Sequence, residues 1–267
     1  MPPPGSAAGD RARSKFIADV KAICLPYAID FFPLPKLSDT TTVTDESKNG
    51  AVVTYSESVA AFDTPPGVQG SGVRVYFNGT DEEADTPDAA YYSKGDSVND
   101  KPLSIFGWVN QTATATTKTI LSKHDLTSGN EKREWTFILS TTEKLTFTLW
   151  DESAATRIGK VSDAALADGA DLFVAGVYDG SGADTGIKLY SAAVVLASSA
   201  ASAGTYTALE DTTTLLRVAH EIGTGATAAS LFNGSMLGLP ILVGGALSVD
   251  QLEALKDAGN AYYDLEL

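Results

Sequence analysis

Cysteine and histidine are almost missing from this chain. A single cysteine, Cys24, among 267 residues leaves no partner for an internal disulfide. It excludes a cysteine-rich scaffold and a cysteine-built zinc site. The histidines number two, His124 and His220. Positive charge is also scarce: 19 Lys and Arg stand against 34 Asp and Glu, a formal charge of -15. So acidic a chain repels phosphate backbones and anionic leaflets, so neither nucleic acid nor a membrane surface is expected as a partner. No run approaches the roughly 18 uninterrupted apolar residues of a membrane helix. Charges at Asp10, Arg11, Arg13, Lys15, Asp19 and Lys21 break any apolar leader, so no signal peptide is expected. Folding in a cytoplasm is the consequence. The three Asn-x-Ser/Thr triplets, at Asn78, Asn110 and Asn233, then read as chance in a chain rich in threonine and serine.

What is present is a long series of short β patterns. From about residue 43 to 247, β-branched and aromatic runs alternate with turn chemistry, as at Asn49-Gly50, Asn78-Gly79, Asp168-Gly169, Asp179-Gly180 and Asn233-Gly234. Leu145, Phe147 and Leu149 alternate with Thr146 and Thr148, the period of a strand with one buried face. Many short strands without long helices between them predict an all-β, antiparallel sandwich.

Two helices flank the strands. Near the N-terminus, Asp10 can cap a short helix that places Phe16, Val20, Ile23 and Cys24 on one face, and Pro26 ends it. Two readings remain open for residues 1–36: a helix that packs on its own domain, or an arm that docks through Phe16, Val20 and Ile23 on another subunit. Residues 37–267 form the expected sandwich. At the C-terminus, Ser248 and Gln251 read as a capping box, Leu252 and Leu255 face inward, and Gly259 is read as the stop. No second hydrophobic core is expected.

The order of motifs resembles the laminin G-like jelly rolls of the concanavalin A-like group. The segment 27–34 and the turn Asp45-Glu46-Ser47-Lys48-Asn49-Gly50 come first, then Val75-Tyr76-Phe77-Asn78-Gly79-Thr80-Asp81. Ile105-Phe106-Gly107-Trp108-Val109, Ile120 to Lys123, Tyr178-Asp179-Gly180, Phe232-Asn233-Gly234 and the Leu247-Ser248 helix follow in the family's order. The resemblance implies a jelly roll over about residues 27 to 258. In several relatives it also implies a calcium ion near the first turn, here through Asp45 and Asn49. The partner carboxylate of the last strand is missing, because that strand reads Gly234-Ser235-Met236-Leu237. No other cofactor is expected.

Catalytic patterns are weak. Asp81, Glu83 and Asp85 share the alternation that sandwich hydrolases use, but Thr86-Pro87 follows and the stretch reads as a solvated loop. The clusters Glu131 to Glu134 and Asp151-Glu152 read as exposed turns. A His220–Glu221 pair is conceivable, yet no Gly-x-Ser-x-Gly elbow presents a serine. No phosphate-cradling loop with a Walker lysine occurs. A non-enzymatic role is therefore expected. The leading expectation is a virion surface protein, a capsid-decoration, head-fibre or tail component bound to other virion proteins in an oligomeric assembly. Laminin G-like domains occur among bacteriophage proteins, and virions assemble in a cytoplasm. The alternative is a soluble, calcium-assisted lectin for a cell-surface glycan, with Tyr91, Tyr92 and Trp150 as its aromatic candidates. Trp108 and Trp135, inside strands, are read as core.

Overall fold

A computed structural model describes residues 7–35, 41–56, 68–69 and 72–267. The alternating runs become two antiparallel sheets packed face to face, a jelly-roll sandwich with one helix near each end. The first sheet is built around Leu103–Gln111, which pairs with Leu172–Tyr178 on one side and the long strand Asn233–Gly244 on the other. The second sheet centres on Lys118–Asp125, Lys132–Leu139, Leu145–Asp151 and Thr156–Ser162, each paired to the next in sequence. It continues from Lys118–Asp125 through Leu216–Val218 to Ala84–Thr86.

Three layers result, not two. Between the sheets, Leu145, Phe147 and Leu149 meet Ile105, Val109, Val174 and Tyr178. On the far face of the first sheet, Phe106, Trp108, Phe173, Ala175, Val177 and Ile241 form a second apolar cluster with the two helices. The expectation of one core is thus corrected. The reason is legible in Leu172-Phe173-Val174-Ala175-Gly176-Val177-Tyr178, a continuous apolar run. Such a run marks a strand apolar on both faces, whereas Thr146 and Thr148 mark a strand with one polar face.

The N-terminal helix, Ala7–Ile23, supplies one cover of that second cluster. Phe16 and Val20 are buried inside it, Phe16 stacking on Tyr262 at 4.6 Å and meeting Trp108 edge-on at 5.9 Å. Ile23 is half-buried against the same cluster. After the helix, Ala28–Phe31 joins the first sheet beside Asn233–Gly244. Of the two readings of this segment, packing on its own domain is the one that the placement of Phe16 and Val20 supports. Residues 1–6, 36 and 37 lie outside the described residues.

The C-terminal helix runs Val249–Tyr263, with the Ser248–Gln251 capping box in place and Leu252 and Leu255 fully buried. Gly259 does not stop it. The helix continues to Tyr263 and closes at Asp264, whose φ of 63° is the left-handed cap. Gly259 is instead a gap for a ring: a Cβ there would lie 2.0 Å from Cζ2 of Trp108.

Candidate functional site

The outer face of the second sheet carries a polar cavity with aromatic lining. Its floor follows from strand register. Thr148 pairs with Thr136 across one ladder and Thr136 with Ser122 across the next, so the three point to the same face. Thr146 and Ile138 form a neighbouring row. Because Leu145, Phe147 and Leu149 take the inner face, Thr146, Thr148 and Trp150 must take the outer one.

A cavity of about 310 Å³ opens over this floor, lined by Thr117, Thr136, Thr146, Thr148, Ile138, Trp150, Arg157, His124, Glu221 and Ser230. Arg157 stands opposite Trp150 in the ladder, its guanidinium 5.0 Å from the indole centre. Arg133 approaches the same ring at 4.6 Å. The two arginines are in different electrostatic states. Arg133 donates from Nε and Nη2 to Glu152, which neutralises it. Arg157 donates from Nε to the carbonyl of Ala201 and forms no ion pair with the described residues. Its terminal N–H groups supply an uncompensated positive charge at the cavity wall.

His124 is buried, with Nδ1 3.1 Å from Oε2 of Glu221. Burial alone would raise the Glu221 pKa. The attraction of His124, with the hydroxyl of Ser230, outweighs that and holds it below the usual value. Nδ1 has only this ion-pair contact, short of a well-formed hydrogen bond, while Nε2 has no partner of either kind, and neither does Nε1 of Trp150. Two buried polar atoms in one cavity lining therefore lack the hydrogen bonds that folded proteins nearly always supply. Together these groups can accept and donate hydrogen bonds to a small polar ligand and neutralise one negative charge.

The sequence-derived candidates separate in space. Trp150 lines the cavity, but its ring lies between arginines and His124 instead of standing bare. Tyr92 is fully buried in the inter-sheet core, which removes it from any glycan-contact surface. Tyr91 packs edge-on against it at 4.5 Å and is only partly buried. Asp45 and Asn49 share one turn. The Asp45 carboxylate accepts from the backbone N–H groups of Ser47 and Ala51, while the Asn49 amide donates to the carbonyl of Asp30. This ties the turn to the strand Ala28–Phe31.

Several acidic residues read as exposed are not. Glu134 is fully buried and bonded to Lys123, Ser93 and Thr212. Asp151 is buried too, accepting from the backbone N–H groups of Ala154 and Thr207. Glu83 and Asp85 do not form a loop with open solvent around it. They flank Ala84 at the strand Ala84–Thr86, and burial raises the pKa of each. Their partner is His220, at 3.6 Å and 3.3 Å. The adjacent residues His220 and Glu221 thus serve different neighbours. The signal that the sequence offered for the cavity was the threonine alternation ending in Trp150; Arg157 and His124 carried none.

No protein-family model matches the chain, and no curated protein matches it in sequence. Solved structures do share its fold. The binding domain of Paraclostridial Mosquitocidal Protein 1 superposes with a TM-score of 0.59 at 10% identity, covering 86% of this chain and 52% of that one. This chain therefore spans about half the length of that neighbour. Trypanosoma rangeli sialidase in complex with the inhibitor DANA gives 0.53 at 12% identity, over 93% of this chain and 37% of the enzyme. The Ruminococcus gnavus IT-sialidase CBM40 bound to α2,3-sialyllactose gives 0.47 at 19% identity, over 60% of this chain and 84% of that domain. No helix among the described residues is long and apolar enough to cross a membrane.

Proposed function

We propose that this chain is a non-catalytic carbohydrate-binding module whose ligand seats in the cavity beside Trp150. The observation that carries the reading is the pair of unpartnered buried atoms, His124 Nε2 and Trp150 Nε1, in a lining that also carries the hydroxyls of four threonines and Ser230. A sugar ring presents hydroxyls that donate and accept at once, which suits such a wall. The unpaired guanidinium of Arg157 favours a sugar bearing a carboxylate, since its N–H groups match that geometry in pairs. Use of the same sandwich as a binding domain in the mosquitocidal protein is compatible with this reading.

The virion-surface role set out from the sequence gains no support from the N-terminal helix. Two of the three residues assigned to docking, Phe16 and Val20, are packed inside this chain's own core. Hydrolysis gains no support from Glu83 and Asp85, which crowd His220 and do not line the cavity.

A glycan array with the full-length protein tests the proposal, followed by calorimetric titration of the best ligands. Trp150→Ala and Arg157→Gln should each weaken binding at least tenfold, with the Arg157→Gln loss confined to carboxylate-bearing sugars. Circular dichroism should show both variants folded. An array blank at high protein concentration, with and without calcium, would refute the reading. So would binding that both substitutions leave intact.

A further inference from the structure

Away from the cavity, Glu83, Asp85 and His220 bring one ligand atom each to a common point. Oε2 of Glu83, Oδ1 of Asp85 and Nε2 of His220 all lie within 4.8 Å of one another. His220 is delivered there by Ala219, whose φ of 68° turns the chain sharply out of the strand Leu216–Val218. A left-handed conformation at a non-glycine residue is costly and uncommon, so the turn is held by its surroundings. Ala219 also accepts a hydrogen bond from the backbone N–H of Phe232, which helps to hold it.

The tautomer of His220 is set by its other nitrogen. Nδ1 lies 3.2 Å from the carbonyl oxygen of Val218, which can only accept. Nδ1 therefore carries the proton, and in the neutral ring Nε2 presents a lone pair. The ring is 1% exposed. Although Nε2 lies 3.3 Å from Asp85 and 3.6 Å from Glu83, it makes no hydrogen bond with either, and neither carboxylate oxygen accepts a hydrogen bond from any described residue. Three buried atoms converge without bonding. A backbone carbonyl that fixes the ring of a histidine is the usual outer support of a metal ligand.

We propose that Glu83, Asp85 and His220 form a binding site for one divalent transition-metal ion, of the zinc class. Ligand atoms about 2.1 Å from a shared ion stand roughly 3.0–3.4 Å apart, close to the spacings His220 makes with the two carboxylates. One imidazole with two carboxylates suits zinc, manganese or cobalt, whereas calcium and magnesium take all-oxygen shells. Two carboxylates balance the charge of the ion. The side chains of Glu83 and Asp85 are 27% and 35% exposed, which leaves the open side of the site to water. Among the described residues, Arg217 brings an opposing charge, with Nε 3.9 Å from Asp85. Its terminal nitrogens are engaged by Thr214, by the carbonyl of His124 and by Asp125, which draw its charge the other way. The ion would pin the end of Leu216–Val218 to Ala84–Thr86, one residue from the Glu221 that holds His124.

Calorimetric titration of Zn²⁺ into the full-length, chelator-stripped protein is the test. One ion should bind per chain, and the affinity should fall at least tenfold in His220→Gln and in Asp85→Asn. His124→Gln, which alters the other histidine, should bind as the parent does. Asp85→Asn, half-exposed, keeps the test decisive if the buried His220 variant fails to fold. Absence of one-to-one binding would overturn the proposal, as would zinc binding that Asp85→Asn leaves unchanged. Displacement of the zinc by millimolar Ca²⁺ would overturn the assignment to a transition metal.

Discussion

Replacing Gly259 by alanine sets two effects of known size against each other. In an exposed helix interior, alanine is better than glycine by about 1 kcal/mol, because glycine loses more backbone freedom on folding. Gly259 lies four residues before the end of a fifteen-residue helix, so on propensity alone the substitution stabilises. Packing reverses the sign. The new Cβ would stand 2.0 Å from Cζ2 and 2.3 Å from Cε2 of Trp108. That ring is 2% exposed and hemmed in by Phe16, Phe106, Phe173 and Tyr263 at centroid distances of 5.1 to 6.2 Å. It has nowhere to retreat, and overpacking of this kind costs about 1–3 kcal/mol, here toward the upper end. The net expectation is a loss of about 1–2 kcal/mol, or a melting temperature lower by roughly 2–8 °C for a chain of this size. Urea unfolding of the parent and Gly259→Ala proteins would measure it. Glu253→Gly, at an exposed position of the same helix, should lose about 1 kcal/mol and show that propensity operates there. A higher melting temperature for Gly259→Ala would refute the close packing of helix and Trp108.

Phe16→Ala should destabilise by about 3–5 kcal/mol in urea unfolding, because the ring is buried against Phe32, Trp108, Tyr262 and Tyr263. A loss below about 1 kcal/mol would mean that the N-terminal helix is detachable, and would revive the docking arm. Asp171 gives a pH signature. Burial works to raise its pKa, but the paired hydrogen bonds from Arg74, one from Asn110 and the arginine charge hold it below the usual carboxylate value. The stabilisation this provides is complete above the unfolded pKa of about 3.9 and disappears as pH falls through the lower folded value. Asp171→Asn should therefore be less stable near neutrality and converge with the parent as pH falls through that lower folded value; a gap that persists in strong acid would refute the charge argument.

Local patterns determined much of this protein. Period-two alternation identified strands such as Leu145–Asp151, Asn-Gly and Asp-Gly steps marked the turns, and Ser248 with Gln251 fixed the start of the last helix. Each depends on residues a few positions apart, which one stretch of chain displays. The continuous apolar run at Leu172–Tyr178 even held the evidence for a helical layer, though its meaning required knowing what covered the second face. Tertiary structure decided what had no local signature. Gly259 resembles a helix stop until Trp108, from a strand more than a hundred residues earlier, is seen filling the space beside it. His220 and Glu221 resemble a pair until strand pairing sends one to Glu83 and Asp85 and the other to His124. Neighbours in sequence on an extended chain point to opposite sides, so a side chain's chemical partners are chosen by the strands that happen to lie alongside. The sequence supplies the groups, and the register of the second sheet decides which of them meet.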